Sequence, residues 1–344
     1  MVTLKFYTHL ALCWVCVSML LISCGEDEIS VVSEFEFVKP AHFPEPTYTL
    51  DNNPVTEQGF LLGRKLFFDP LLSVDGSVSC NTCHIQSTAF ADSQQHPLSF
   101  GIENRVGIRN APMLANMAFV PDFFWDGGVN HLDFVAINAI ESEVEMGETL
   151  ENVVRKLNED SEYPDLFKEA FDTDKVTSPF MLQALSQFMI LMVSDQSKYD
   201  QYIRNETALS ADELQGLSLF EAKCSSCHSG TLFTDFSYRN NGISETFSDT
   251  GRETITEFSG DIGKFRVPSL RNIGLTAPYM HNAKFWSLDE VLEHYRSGIK
   301  TSPTLDPLLQ NGISMTDDEK DKIILFLRTL TDQEFRSNPK FRNQ

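Results

Sequence analysis

The sequence predicts a mainly α-helical protein built from two consecutive units. Three observations support this prediction: a length of 344 residues, several segments with apolar residues at helical spacing, and a five-residue motif that occurs once in each half. Apolar residues make up 42% and charged residues 22%, which excludes a mostly disordered or collagen-like chain. The formal net charge of −22 argues against a nucleic-acid-binding protein, because phosphate recognition needs a basic surface, but it suits a basic protein partner.

The first residues have the pattern of a secretory signal peptide, which we assign to residues 1–23. Lys5 gives a positive start, and residues 10–22 are almost wholly apolar but too short for a membrane span of about 20 residues. The following Ser23-Cys24-Gly25 resembles a bacterial lipoprotein signal, which implies that Cys24 carries lipid. The alternative is an ordinary cleaved signal with an incidental cysteine. We therefore expect an exported, lipid-anchored protein of the periplasm or cell envelope, with an acidic tether at residues 24–55.

Helical spacing then recurs along the first unit, which we place at residues 56–205. The segments with apolar residues at helical spacing are 56–68, 149–157, 163–171 and 180–193. Residues 92–112 are rich in Ser, Gln, Gly and Asn and lack a period, so they predict a long loop.

The second unit, residues 206–335, repeats the order of helix, long loop and further helices, and it precedes a tail at 336–344. A capping box at Ser210–Glu213 starts a helix that runs into Cys224, and a second box at Thr316–Glu319 starts the final helix. Residues 230–276 are polar and Gly-rich, and residues 288–295 predict a short helix between that loop and the final helix.

The repeated motif is Cys-x-x-Cys-His, and its spacing has a chemical reason. Two thiols three residues apart can each form a thioether with one vinyl group of a haem, and the next His then reaches the iron. The two copies use every cysteine that follows residue 24. We therefore predict two covalent c-type haems, attached through Cys80, Cys83, Cys224 and Cys227, with His84 and His228 as iron ligands.

Three other interpretations of the cysteines are open at this point. A four-cysteine zinc site and two short disulfides would both leave the histidines unexplained. A thioredoxin-like redox pair would need a βαβ setting, which the sequence does not suggest.

The chain resembles the bacterial di-haem cytochrome c peroxidase family, including its MauG-like branch, over about residues 55–335. The matching motifs, in chain order, are LGRKLFFDP at 62–70, RNAP at 109–112, FWDG at 124–127, VEM at 144–146, VPSLRN at 267–272 and APYMH at 277–281. The resemblance implies a mainly α fold of two c-type cytochrome-like helical domains, with one covalent haem each and long connecting loops.

The resemblance also implies roles for individual residues. The haem held by Cys80, Cys83 and His84 would be the peroxide site, and Glu145 would move a proton between the peroxide oxygens. Trp125 would relay electrons from the second haem. Without the resemblance, Glu145 would be read as a surface acid and Trp125 as core packing.

A calcium ion between the domains is the third implication of the resemblance. Its ligands would be Asn110 and the main-chain carbonyls of Thr276 and Pro278, and such oxygen ligands suit a hard cation. From the residues alone, all three would be read as turn formers.

The sequence departs from the peroxidase pattern around the first haem. Many relatives bring a loop His onto the resting peroxide haem, but ungapped counting places Ile102 there, with His96 as the nearest loop histidine. The distal Gln and a nearby Pro of the family count to Val135 and Ala139. We expect the first haem to be open at all times and Glu145 to act with less hydrogen-bonding help.

The sequence also departs from the peroxidase pattern at the sixth ligand of the second haem iron, which is Met in the ordinary peroxidases. Counting from Pro278 places Tyr295 there, as in the MauG-like branch, while Met280 and Met315 remain rival ligands. The choice matters because a thioether favours reduced iron, whereas a tyrosinate stabilises ferric iron. We favour Tyr295 over Met280.

These expectations lead to a di-haem c-type peroxidase that reduces hydrogen peroxide to water. Its electrons would come from a small donor protein, a cytochrome c or a cupredoxin-like protein, that is attracted by the acidic surface. One alternative is a MauG-like enzyme that uses peroxide to oxidise protein side chains or another substrate through a high-valent state. A second alternative is a non-catalytic di-haem electron carrier. A homodimer is also an expectation from the resemblance.

Overall fold

The computed structural model describes residues 34–92 and 96–343, so the predictions for the signal peptide and for Cys24 lie outside the described residues. From Phe35 onward the described chain is one compact unit. Its α-helices are α1 Glu57–Phe68, α2 Cys80–Cys83, α3 Val135–Glu141, α4 Leu150–Glu159, α5 Tyr163–Phe171, α6 Ser178–Ile190, α7 Lys198–Ile203, α8 Ala211–Lys223, α9 Glu253–Thr256, α10 Leu288–Glu293 and α11 Asp317–Arg328. A π-helical turn at His294–Gly298 extends α10, and two short strands, β1 Tyr238–Arg239 and β2 Phe265–Arg266, pair antiparallel.

The mainly α-helical class is confirmed, and three of the predicted helices start at side-chain caps. The Thr56 side chain accepts from the Gly59 N–H at the start of α1, and Ser210 and Thr316 form the predicted capping boxes of α8 and α11. The short helices α3, α7 and α9 were not predicted. In the described chain, no helix has both the length and the apolar character needed to cross a membrane.

Residues 35–55 of the predicted acidic tether lie against the helical core. Phe43 and Tyr48 are 4% and 7% exposed, and the Tyr48 hydroxyl donates to Asp133 at 2.8 Å. Because these aromatic residues have no regular spacing, no helix or strand is predicted for this stretch. This part of the segment is packed, whereas the domain boundary at 205/206 stays a prediction.

Each half contains a pair of helices that cross at a glycine. In the first half, α1 crosses α6 where Gly63 meets the carbonyl of Ala184; in the second half, α8 crosses α11 where Gly216 meets the carbonyl of Lys322. A Cβ at either glycine would overlap the facing carbonyl oxygen, so glycine is what lets these backbones approach. Each pair lies in its own apolar cluster, with Phe188 in one and Phe326 in the other.

The correspondence between the halves continues at a constant spacing of 156 residues, from residues 110–139 to residues 266–295. The 3₁₀ turn Met117–Phe119 matches Ile273–Leu275, and each is preceded by a left-handed Asn, Asn116 or Asn272. The antiparallel bridge Phe123↔Val129 matches Tyr279↔Phe285. The chain therefore contains a structural duplication, which the residue-level resemblance between the halves is too weak to reveal by eye.

A buried ion pair joins three separate segments of the fold. The Arg271 guanidinium contacts both carboxylate oxygens of Asp200, at 2.9 and 2.8 Å, and neither side chain is exposed. His42 Nε2 lies 3.0 Å from the same carboxylate, and Arg271 lies over the Phe43 ring. Arg271 also donates to the Thr231 carbonyl at 2.8 Å, so this pair ties the segment after the second motif to the residues that precede α1.

Candidate functional site

Both Cys-x-x-Cys-His motifs line a single cavity of about 1280 Å³ at the centre of the unit. This volume exceeds the roughly 300–1,000 Å³ that is usual for one ligand site. The segments that correspond at the spacing of 156 residues, including Pro112 and Pro268, also line it. Corresponding segments of the two halves therefore line the cavity, and its size suits more than one large cofactor.

The first motif forms a single helical turn, α2, followed by His84. The Ser79 backbone N–H donates to the Thr82 hydroxyl at 3.0 Å, which caps this turn. His84 Nδ1 lies 2.8 Å from the Phe90 carbonyl oxygen; because a carbonyl can only accept, Nδ1 carries the proton. Its Nε2 then keeps a free lone pair, which is the tautomer that a metal ligand needs.

The second motif repeats this arrangement at the C-terminal end of α8. The Cys224 N–H donates to the Phe220 carbonyl at 2.8 Å, so the motif continues directly from the helix. His228 Nδ1 lies 3.1 Å from the Phe233 carbonyl oxygen, which again leaves Nε2 available. Burial lowers the pKa of both His84 and His228, so the neutral imidazole, the ligating form, prevails.

The state of the four cysteines separates the interpretations left open by the sequence. All four are free thiols, which excludes the two short disulfides in this structure. Burial raises the pKa of Cys80 to about 12 and that of Cys83 to about 11, whereas a redox-active pair needs a lowered pKa. Within the described residues, no group of three or more His, Cys, Asp or Glu side chains could hold a metal ion, so the zinc interpretation has no site. Thiols beside an oriented imidazole fit covalent haem attachment.

Glu145 borders the cavity beside the first motif. The side chain is exposed to this cavity, and the negative charge of Glu145 contributes to the raised pKa values of both Cys80 and Cys83. Burial by the surrounding protein raises the pKa of the Glu145 carboxyl, and a hydrogen bond from Ser142 partly opposes this effect. Such a carboxyl can exchange protons nearer to neutral pH than an ordinary Glu.

Ile102 is tied to the segment that carries Glu145. Its N–H donates to the Glu145 carbonyl at 2.8 Å, and its side chain, 5% exposed, packs on Gly147. His96 contacts Phe100 and lies 3.9 Å from Asp92, away from the cavity lining. The two side chains at the family's Gln and Pro positions, Val135 and Ala139, line the cavity without a group that could ligate iron.

Trp125 lies where the two halves meet. Its indole N–H donates to the Asn110 carbonyl at 2.9 Å, and its ring lies 6.4 Å from the His281 ring, edge to face. Both residues line the cavity. Trp125 therefore lies in the cavity wall at a contact between the two halves, and its role in electron transfer stays a prediction.

Reciprocal hydrogen bonds surround this pair of rings. The Asn110 N–H donates to the His281 carbonyl at 2.7 Å, and the Arg266 N–H donates to the Trp125 carbonyl, also at 2.7 Å. Residues 110 and 266 are counterparts, and so are residues 125 and 281. Such exchange of the same contact is the signature of an approximate two-fold axis, here within a single chain.

The three proposed ligands of the second iron all line the cavity, but they differ in surroundings. Tyr295 lies in the π-helical turn, a feature often found at functional sites. Burial raises its pKa to about 12, opposed by a hydrogen bond with Asn241, and the charges of Cys227 and Cys224 add to the rise. Met280 already accepts a hydrogen bond from Asn241 at its sulfur, at 3.2 Å, and Met315 packs in the second apolar cluster. The choice of Tyr295 as the sixth ligand of the second iron therefore stays a prediction.

The predicted calcium ligands are partly brought together. The Asn110 side-chain amide lies 2.6 Å from the Pro278 carbonyl oxygen and 3.4 Å from that of Met280, and Thr276 borders the same cavity. Because the two ends of an amide side chain can exchange places, Asn110 can present its oxygen here. The set contains only neutral oxygens, and it fits a hard cation that keeps water ligands.

Arg266, the counterpart of Asn110, was missed by the sequence analysis. Its Nε donates to the Phe124 carbonyl at 3.3 Å, the counterpart of the Asn110 contact with Met280. Among the described residues, no carboxylate lies within 4.0 Å of its guanidinium, and burial lowers its pKa. Three other cavity-lining arginines are each paired with an Asp: Arg109, Arg239 and Arg271. The spacing of 156 residues is the sequence signal that points to Arg266, because it pairs this residue with Asn110.

Comparisons with known proteins agree with this site. A family described as di-haem cytochrome c peroxidase matches residues 57–208. The methylamine utilization protein MauG of Methylorubrum extorquens is 33% identical over 300 residues, 86% of this chain and 83% of the relative. The cytochrome c551 peroxidase of Pseudomonas aeruginosa is 33% identical over 304 residues, 85% of this chain and 84% of the relative. A solved MauG-like protein associated with microbial copper homeostasis has a TM-score of 0.83 at 29% identity, covering 89% of this chain and 98% of that one.

Proposed function

Because the chain belongs to the family of di-haem cytochrome c peroxidases and MauG proteins, we propose that it reduces hydrogen peroxide to two waters with electrons from a small redox protein. The family holds two c-type haems, and the four thiols and two oriented imidazoles of the motifs fit them. When bound, haem iron supplies a site for peroxide and a route for two electrons; two protons complete the balance.

One observation carries this proposal: an acid borders the cavity beside the first motif, where the neighbouring Ile102 and Ala139 offer no ligating atom. This leaves room for a small external ligand next to Glu145. The Glu145 carboxylate accepts a proton from one peroxide oxygen and returns it to the other, which leaves as water when the O–O bond breaks. Ser142 holds the carboxyl, and the main-chain bond between Ile102 and Glu145 fixes the segment.

Trp125 supplies the path for electrons from the second haem. Its position is fixed at both ends, by the indole bond to the Asn110 carbonyl and by the bond from the Arg266 N–H to its own carbonyl. We expect Trp125→Phe to slow reduction of the peroxide site by the second haem, measured by stopped-flow absorbance, without changing haem content. An unchanged rate would remove Trp125 from the path.

The test of the proposed function is peroxide consumption with a reduced cytochrome c or cupredoxin as donor. We expect Glu145→Gln to lower kcat about 10²–10⁴-fold, the usual contribution of a general acid–base group, with unchanged haem content. Glu143→Gln is the matched control, because it removes the same charge two residues away, outside the cavity lining. Equal rates for Glu145→Gln and the control would contradict the proposal, and no reaction of the wild type with peroxide would leave only an electron carrier.

A MauG-like reaction, in which peroxide oxidises protein side chains or another substrate, is the second candidate. Tyr295 in the second half and Ile102 in place of a blocking His favour it. The two candidates separate when ferric protein is mixed with one equivalent of peroxide. A long-lived oxidised spectrum without prior reduction supports the MauG-like reaction, whereas activity only after one-electron reduction supports a peroxidase whose first haem is blocked until the second haem is reduced. The Tyr295→Phe variant tests the proposed ligand, because it removes any tyrosinate absorption.

We also propose that a calcium ion binds at Asn110 and the carbonyls of Thr276 and Pro278. The correspondence between the two halves supports this calcium site. At the counterpart of Asn110, the positively charged guanidinium of Arg266 lies beside the Phe124 carbonyl. Asn110, at the counterpart position, carries no charge, so a bound calcium ion would take the place of the guanidinium there. We expect calorimetric titration of chelator-treated protein to show calcium binding that Asn110→Ala abolishes; binding that survives in this variant would place the ion elsewhere.

We make four further proposals, which concern the export of the protein and its partners. We propose a lipid anchor on Cys24, a periplasmic or cell-envelope location, a basic donor protein, and a homodimer. Mass spectrometry of the mature N-terminus tests the anchor, and Cys24→Ala should release the protein from membranes. Salt that weakens the donor reaction tests the acidic docking surface, because exposed charges are screened over about 8–10 Å at such ionic strengths.

A further inference from the structure

An aspartate occupies the same place in both halves, at the entry to the helix that follows the antiparallel bridge. Asp133 lies in the turn before α3, and Asp289 lies in the first turn of α10. The two correspond at the spacing of 156 residues, and so do the leucines before them, Leu132 and Leu288. Because α3 and α10 both line the cavity, whatever holds these aspartates also holds a cavity wall.

In the second half, the aspartate is held directly by the helix α11. The Lys320 Nζ lies 2.6 Å from a carboxylate oxygen of Asp289. The counterpart of α11 is α6, because the helix crossings pair Lys322 with Ala184. Lys320 lies two residues before Lys322, and Leu182 holds that position in α6. A leucine carries no charge, so α6 cannot form this ion pair with the aspartate of the first half.

The segment before α1 supplies the contact that α6 cannot make. The Tyr48 hydroxyl donates to Asp133 at 2.8 Å, and burial raises the pKa of Tyr48, so the hydroxyl keeps its proton. The Asn53 amide donates to the same hydroxyl at 2.9 Å, and Gln187 of α6 donates to the Asn53 side-chain oxygen at 2.7 Å. Tyr48, Asn53 and Gln187 are all buried, so water does not compete for these bonds.

The helix α3 connects this contact to the acid of the first site. Asp133 lies before its N-terminal end, and Glu145 follows its C-terminal end. The Glu145 N–H donates to the Ser142 carbonyl at 3.0 Å, and the Met146 N–H donates back to the Ala139 carbonyl in α3 at 3.2 Å. A shift of α3 would therefore move Glu145 with it.

We propose that Tyr48 is a positioning residue for Glu145, and that residues 35–55 form part of the scaffold of the first haem site. Tyr48 acts through Asp133 and α3 and contacts no reacting group. The inference rests on the proposed function, in which Glu145 is the acid that moves the proton. It can be tested by ligand binding, without turnover of peroxide.

The test is a double-mutant cycle of Tyr48→Phe and Glu145→Gln in the full haem-loaded protein. The readout is the rate at which cyanide binds the first haem, because neutral hydrogen cyanide gives up its proton to a base as it binds. We expect Tyr48→Phe to slow binding about 10–10²-fold when Glu145 is present, which is the order of loss for a misplacement of about 1 Å. We expect no further loss when Tyr48→Phe is added to Glu145→Gln.

The cycle distinguishes failure of the inference from failure of the proposed function. Slow binding in Glu145→Gln together with wild-type binding in Tyr48→Phe would refute the inference alone. An equal loss from Tyr48→Phe in both backgrounds would also refute it, because the residue would then not act through the acid. A Glu145→Gln variant that binds cyanide as fast as the wild type would refute the proposed role of the acid itself.

Two control variants separate positioning from a general loss of stability. Thr47→Val removes the neighbouring hydroxyl, which bonds the Ala118 and Val120 carbonyls, and we expect it to leave cyanide binding unchanged. Lys320→Met breaks the ion pair of the second half, and we expect it also to leave the first haem unchanged. If either control slowed binding as much as Tyr48→Phe does, the inference would be overturned.

Variants of the aspartate keep the inference testable if Tyr48→Phe does not take up haem. Asp133→Asn keeps an oxygen that can accept from the Tyr48 hydroxyl, so we expect cyanide binding close to the wild-type rate. Asp133→Leu removes the acceptor, and we expect it to slow binding about 10–10²-fold, as in Tyr48→Phe. Equal rates in the two Asp133 variants would contradict the inference.

Discussion

The buried pair of Arg271 and Asp200 provides the sharpest stability prediction. Asp200→Asn keeps the size and shape of the side chain but removes its charge. The Arg271 guanidinium would then remain fully buried, with the Thr231 and Ser194 carbonyls and the Phe43 ring as its surroundings and no counter-charge on Asp200. We expect the free energy of unfolding to fall by about 3–5 kcal/mol, the usual cost of breaking a buried pair by removing one partner.

This loss is large compared with the total stability of a typical protein, about 5–15 kcal/mol. Urea unfolding of the haem-loaded protein, followed by circular dichroism, measures it. Glu162→Gln is the matched control, because it breaks the exposed ion pair with Lys65, and we expect a change within about 1 kcal/mol. If Asp200→Asn cost no more than this control, the pair would not hold the three segments together.

The pH dependence of stability follows from the same carboxylate. Burial alone would raise the pKa of Asp200, but hydrogen bonds and charge from Arg271, together with Ser197, outweigh it and lower the pKa below 3.8. A carboxylate with a lowered pKa stabilises the folded state above its unfolded pKa, and this contribution is lost as the pH falls through the folded pKa. We therefore expect the difference between wild type and Asp200→Asn to shrink only below about pH 3.8.

Three further predictions address the helix crossings and the acid at the cavity. Gly63→Ala should lower the free energy of unfolding by about 1–3 kcal/mol, because its Cβ would overlap the Ala184 carbonyl; an unchanged free energy of unfolding would dismiss the importance of this helix crossing. The raised pKa of Glu145 should move the acid limb of the peroxide-reduction rate above the usual pKa of 4.5, and Glu145→Gln should abolish that limb. Ser142→Ala should move the limb to still higher pH, because Ser142 stabilises the carboxylate; a downward shift would contradict its role.

The parts of the fold that could be predicted are those with local signals. The capped helices α1, α8 and α11 follow from a side chain that bonds a backbone N–H three residues away, and both haem motifs follow from fixed spacing. The short helix α3 carries no cap of this kind, so it was missed. Phe43 and Tyr48 looked like parts of a tether, because their burial depends on contacts with residues far along the chain.

The residues of the candidate site also fall into those that could be predicted from the sequence and those that could not. Glu145 and Trp125 came from ordered motifs that resemble a family, and Tyr295 came from counting along the chain from one of these motifs; all three line the cavity. The roles of Arg266 and His281 depend on how the two halves meet, which no local pattern reports. The constant spacing between weakly similar segments relates them to Asn110 and Trp125, and it becomes visible once the matching turns and bridges are known.

The packing of residues 335–341 has a consequence for the core of the first half. Phe335 and Phe341, 2% and 3% exposed, complete the apolar cluster of the first half, and the Lys340 carbonyl accepts from Arg64 in α1. Gln86, two residues after the first motif, bonds the Phe335 and Asn338 carbonyls. The first apolar cluster is therefore complete only when residues 335–341, which follow the second motif in the sequence, pack against it, and the segment that carries the first motif depends on the same contact.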